Sequence, residues 1–174
     1  MILHRSDFAS AANAFEREWL VTNALGGFAS GTLAQANTRR YHGLLLASLQ
    51  PPVQRVLMVA KLEALAHYGD RRYELASNEF AGGTLSPRGF ELLCAFDEQD
   101  GLPVWTYACG DARLEQRLWM ADGRNTTYVR FRLREASSDM ELELRPLCTY
   151  RDYHAQTRGG WSLEVAEEPR GCRV

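Results

Sequence analysis

The sequence predicts a mainly-β domain, two layers of antiparallel strands behind one short N-terminal helix. Three observations carry this. Short stretches alternate apolar and polar residues with a period of two, most clearly Tyr128-Val129-Arg130-Phe131-Arg132-Leu133-Arg134, the pattern of strands with one buried face. Gly-Asp, Asp-Gly and proline-rich positions punctuate these stretches where the chain would turn back. Helical periodicity is confined to the start, where residues 7–17 place Phe8, Ala12 and Phe15 on a common face. With 174 residues and 45% hydrophobic content the chain can enclose one core, so a single domain is assigned to residues 1–174.

Taken in order, residues 7–17 form an alanine-rich helix that Ser6 or Asp7 would cap. A strand over 18–22 leads to a turn at Leu25-Gly26-Gly27-Phe28, where two glycines allow backbone angles that other residues resist. Residues 28–34 are small and extended, suited to close approach by another backbone. The polar run Asn37-Thr38-Arg39-Arg40-Tyr41-His42-Gly43 then precedes an apolar strand, 42–47, which delivers that run at the end of a rigid element. Pro51-Pro52 breaks the pattern. Residues 53–68 contain alanine and leucine that favour a helix, yet Val56-Leu57-Met58-Val59 and the Gly69-Asp70 turn into 71–75 favour a strand with an irregularity near Ala60.

Residues 80–89 read as a loop, and 90–97 as a strand with Phe90, Leu92, Cys94 and Phe96 on one face. Strands follow from 103, over 113–120 and over 126–134, the last two joined at Asp122-Gly123. Glu141 and Glu143 of a strand over 140–145 would stand across from Arg130, Arg132 and Arg134 on a solvated face. Residues 147–160 read as loop, 161–165 as strand, 167–171 as turn, and 172–174 as the beginning of a strand that implies a longer parent polypeptide.

A formal charge of −2 gives no basic footprint, so nucleic acid is not an expected partner. Cys94, Cys109, Cys148 and Cys172 lack any CxxC spacing and read as reduced thiols. No signal-peptide core and no apolar run of about 18 residues is present, which predicts a cytoplasmic protein without a membrane partner.

The stretch EWLVTNALGGFASGTLAQANTRRYHGLLLA, residues 18–47, resembles the N-terminal domain of bacterial and archaeal glycogen debranching enzymes of the amylo-α-1,6-glucosidase type. Arg145-Pro146-Leu147 followed by Arg151-Asp152-Tyr153-His154 resembles the same domain, and Pro51-Pro52 with 56–63 fits between. The resemblance implies a supersandwich-like β-sandwich packed on an (α/α)6-barrel catalytic domain further along the polypeptide. The parent would hydrolyse α-1,6-glucosidic branch points of glycogen-like glucans. This chain alone would be inactive.

Two constellations are candidates for function. Asn37, Arg39, Arg40, Tyr41 and His42 offer directional donors and an aromatic face to a hydroxyl-rich ligand. The structural alternative is that Arg39 or Arg40 pairs with a carboxylate and His42 is a satisfied buried imidazole. Arg151, Asp152, Tyr153 and His154, with Trp161 nearby, form the second; on an extended strand Asp152 and His154 would share a face. The resemblance implies that both segments shape one rim of an α-glucan cleft. No metal-ligand spacing such as HExxH, serine elbow or phosphate-cradling loop is present, so neither metal nor cofactor is expected. Glycoside hydrolysis generally needs two carboxylates roughly 5 to 9.5 Å apart, and only Asp152 lies in a suggestive motif. The alternative from another class is a free-standing carbohydrate-binding or adhesive module.

Overall fold

The computed structural model describes residues 2–8, 10–156 and 162–174. β1 (Ile2–His4) leads through a 3-10 turn at Arg5–Phe8 into α1 (Ala11–Glu16). The helix is shorter than expected because its cap is Ser10, whose hydroxyl accepts from the Asn13 N–H. Asp7 instead binds the His4 N–H at 2.8 Å, closing the preceding turn.

Strands follow as β2 (Glu18–Thr22), β3 (Phe28–Thr32), β4 (Gly43–Gln50), β5 (Val53–Tyr68), β6 (Arg71–Glu74), β7 (Ser77–Phe80) and β8 (Thr84–Arg88). After a 3-10 turn at Gly89–Leu92 come β9 (Leu93–Gln99), β10 (Leu102–Cys109), β11 (Ala112–Met120), β12 (Thr127–Glu135), β13 (Met140–Asp152), β14 (Ala166–Glu168) and β15 (Gly171–Arg173). One sheet runs β1-β9-β10-β11-β12 and the other β13-β5-β4-β3-β2, with antiparallel pairing throughout. β13 follows β5 along one edge, while β4 and then β6 share the other. This is the antiparallel β-sandwich with a short N-terminal helix that the sequence predicts.

The layers meet through aromatic and small residues. Trp19 of β2 packs edge-on against Trp105 of β10, with ring centroids 5.4 Å apart. Each indole N–H donates to the strand end after β3, Trp19 to the Thr32 carbonyl and Trp105 to the Leu33 carbonyl, both at 3.1 Å. Gln35 then donates across the interface to Tyr107 Oη and Gln116 Oε1, each at 2.8 Å. These bonds satisfy buried polar groups that would otherwise be costly in the core.

A second clasp closes the end of the sandwich. Asn23, fully buried after β2, donates to the Arg124 carbonyl and to Asn125 Oδ1, both at 3.0 Å, and accepts from the Leu25 N–H. Asn125 in turn pairs both ways with the Ser48 backbone. The β11–β12 turn is thereby fixed to the opposite sheet.

Several expectations are corrected. The segment read as a loop over 80–89 contains the end of one hairpin strand and the whole of its partner, β7 and β8. The Gly89–Leu92 turn interrupts the alternation expected over 90–97, so Leu93 is buried where Cys94 is only half-buried. β13 continues to Asp152 and pairs with β5 in the other layer, so Glu141 and Glu143 do not face the β12 arginines. Arg130 and Arg134 reach Glu115 of β11 instead, at 3.6 and 3.1 Å, and Glu143 binds Arg145. Alternation specifies which face a side chain takes and leaves the neighbouring strand undetermined. Ser162, Leu163, Glu164 and Val165 are not in a strand.

Candidate functional site

The expected irregularity in β5 is a bulge at Ala60. Leu147 of β13 lies opposite Lys61 and Cys148 opposite Val59, which leaves Ala60 without a partner on that edge. Its carbonyl is taken by the Asn37 amide at 2.8 Å, anchoring the start of the polar run between β3 and β4.

The end of that run is anchored by His42. The ring is buried, and Nδ1 accepts the Thr38 N–H at 3.1 Å. Nδ1 is therefore unprotonated, and the proton of a neutral ring sits on Nε2, 3.2 Å from Glu18 Oε1. Burial is the largest influence and pushes the His42 pKa below its ordinary value of 6.5, with Glu18 pulling the other way. Arg39 Nε binds the same carboxylate oxygen at 2.8 Å. Asn37, Arg39 and His42 thus hold the segment in place through bonds to the domain itself.

Arg40 and Tyr41 face outward. Arg40 Nη1 donates to the His154 carbonyl at 2.9 Å, and Arg151 Nη2 donates back to the Arg40 carbonyl at 2.6 Å. Tyr41 Oη lies 3.2 Å from His154 Nδ1. The structure therefore joins the two constellations, although Arg40 and His154 are 114 positions apart.

Beyond β13 the chain does not stay extended. Asp152 Oδ1 accepts the His154 N–H at 2.9 Å and its carbonyl accepts the Ala155 N–H, making a tight turn that Arg151 Nη1 fastens through the Ala155 carbonyl. Asp152 and His154 consequently do not share a strand face. The turn gathers rings instead: Tyr153 and His154 centroids are 3.8 Å apart with tilted planes, and Tyr41 lies 5.6 Å from Tyr153 and, edge-on, 5.8 Å from His154. Trp161 lies outside the described residues.

Arg55 was not singled out by sequence reasoning. Its guanidinium lies 5.5 Å from the Tyr153 ring centroid and donates to Tyr153 Oη at 3.3 Å and to the Gly26 carbonyl at 2.5 Å. Arg55 also lines an open hollow of about 460 Å³ with Leu20, Thr22, Gly26 and Phe28. Glu18 is the shared anchor of Arg39 and His42. The resulting face offers ring surfaces, guanidinium groups and two phenol hydroxyls, with the Asp152 carboxylate already accepting a backbone N–H. Among the described residues no three His, Cys, Asp or Glu side chains converge to hold a metal ion.

Residues 17–174 match the family model described as glycogen debranching enzyme N terminal. The chain belongs to that family. No curated protein and no solved structure matches it. As a debranching-enzyme N-terminal domain it is non-catalytic, and domains of this family generally precede a catalytic barrel. In this domain the match covers both joined segments, 37–42 and 151–154, as well as the bulged strand beneath them.

Proposed function

We propose that this domain braces the catalytic barrel of a glycogen debranching enzyme and that its Arg40, Tyr41, Tyr153 and His154 face forms one rim of the α-glucan cleft. One observation carries the reading: two distant segments are cross-bonded through Arg40 and Arg151 so that three aromatic rings gather on an accessible surface. Aromatic faces suit the C–H faces of pyranose rings, and the flanking guanidinium groups suit their hydroxyls. Hydrolysis needs two opposed carboxylates, which this face lacks, so its contribution is to position the glucan for acids on the barrel.

The test is Arg40→Ala in the intact debranching enzyme. Loss of the bond to the His154 carbonyl loosens the ring cluster and should lower kcat/KM on a branched dextrin by about tenfold, equivalent to roughly 1.4 kcal/mol. The melting temperature should change little, since Arg40 is exposed. Unchanged activity would remove the rim from the mechanism. The isolated chain should release no glucose from the same dextrin.

A further inference from the structure

The bulge at Ala60 also re-aims the residue that follows it. Lys61 is the only lysine in the chain and is 6% exposed. Its Nζ donates to the Ser77 carbonyl at 2.6 Å and to Asn78 Oδ1, while the Asn78 amide donates to Glu63 Oε1 at 3.1 Å. An ammonium has three donors, and no other described residue takes the third. This network floors a hollow of about 410 Å³, whose remaining walls include Asn37, Glu79, Phe80 and Leu147. Phe80 is 56% exposed and Leu147 44%, so the hollow combines a polar floor with an apolar wall.

The chemistry of the lining selects among ligands. Glu63 and Glu79 repel a phosphate or carboxylate. Lys61 at the centre opposes a divalent cation. A purely apolar ligand would leave the third donor of the buried ammonium unmet, which is costly. A neutral polyhydroxylated ring meets every requirement, because each hydroxyl both donates to a carboxylate and accepts from the ammonium or amide, while its C–H face covers Phe80. The volume falls within the range of small-molecule sites. Burial, the largest influence, brings the Lys61 pKa down to about 8, as expected of an ammonium withdrawn from solvent.

We propose that the hollow formed by Asn37, Lys61, Asn78, Glu79 and Phe80 is a saccharide subsite that takes one pyranose ring of an α-glucan. The choice of glucan rests on the rim reading above, but the subsite uses different side chains.

A single lysine makes the test specific. The 174-residue chain is acetylated near pH 8 with and without maltotriose, and modification of Lys61 is followed by mass spectrometry against the α-amino group as internal reference. Saturating maltotriose, roughly 10 mM for a weak site, should slow Lys61 acetylation about fivefold or more and leave the α-amine unaffected. Phe80→Ala and Glu79→Gln, both at exposed positions with circular dichroism unchanged, should abolish protection; Arg40→Ala should not. Equal rates with and without maltotriose would overturn the proposal, as would protection that survives both hollow variants. If Lys61 resists acetylation, calorimetric titration with maltotriose decides: heat present in the chain and lost in Phe80→Ala supports the subsite, and no heat refutes it. The rim reading fails separately, on the activity of the intact Arg40→Ala enzyme.

Discussion

Raising the pH from about 7 to about 11 should stabilise the chain by ~3 kcal/mol relative to its Lys61→Met variant. Desolvation, offset in part by Glu63, lowers the Lys61 pKa from 10.5 to about 8 in the folded state. Between those values the unfolded chain still carries the proton that the folded chain has released, so stability rises with pH. Below about 8 both states carry it and the full cost of burying the ammonium is present; above 10.5 neither does and the cost vanishes. At roughly 1.4 kcal/mol per tenfold, the gap gives the ~3 kcal/mol stated. Other groups act in the opposite sense. Burial pushes the Cys109 thiol up to about 11 and raises Tyr107 and Cys94 as well, so these hold protons that the unfolded chain loses. Subtracting the variant cancels them, and also cancels the pH-independent loss of the donor to Ser77 and Asn78. Urea unfolding followed by the fluorescence of buried Trp19 and Trp105 supplies both curves, with equal m-values confirming a common unfolded state. A difference that stays flat across the range would refute the reasoning and mean that the hollow hydrates Lys61 fully.

Two further outcomes follow from buried polar groups. Because burial holds the His42 pKa below 6.5, the unfolded chain takes the proton first; the stability His42 contributes is present above pH 6.5 and is lost as pH falls through its folded value. Thermal melts at about pH 7 and about pH 5 should therefore show a larger drop in Tm for the chain than for His42→Gln, and equal drops would exclude His42 as the acid-sensitive group. Asn23→Asp replaces an amide donor to the Arg124 carbonyl and Asn125 Oδ1 with an acceptor in a fully buried site. It should cost about 3 kcal/mol or more in urea unfolding, and a loss under about 1 kcal/mol would show that the clasp contributes little to holding the sheets together.

The parts of this fold that were legible in the sequence are those set by local periodicity and by turns. Residues 53–68 read as one strand because Gly69-Asp70 closes a hairpin, and the bulge near Ala60 was expected. Pairing between distant strands was not legible. The glutamates of β13 match the arginines of β12 in pattern, yet β13 crosses to β5, because alternation constrains faces and carries no address for the neighbour. The same limit applies to the site. The two constellations meet in the fold, but the Asp152–His154 turn depends on an Asx bond that a strand pattern hides, and nothing local connects Arg55 to Tyr153, 98 positions away. Nothing local marks Lys61 as buried, since its burial is created by Ser77 and Asn78 of a hairpin whose second strand was read as loop.

The division of labour within residues 37–42 explains why single-residue readings of this run conflict. Asn37, Arg39 and His42 each bind a group inside the domain, and the bland interpretation of them is correct: an amide on a bulge carbonyl, a guanidinium on Glu18, a neutral buried imidazole. Those anchors fix the backbone on both sides of Arg40 and Tyr41, whose side chains bind the 151–154 turn and remain accessible. A segment serving structure alone would not need an exposed tyrosine set edge-on to an exposed histidine, because surface ring contacts contribute little to stability compared with burial. An unanchored segment could not present those rings with a fixed geometry, and ordering them on binding would then cost conformational entropy. The anchored residues therefore supply the preorganisation, and Arg40, Tyr41, Tyr153 and His154 are the side chains on which a substitution should change glucan handling before it changes folding.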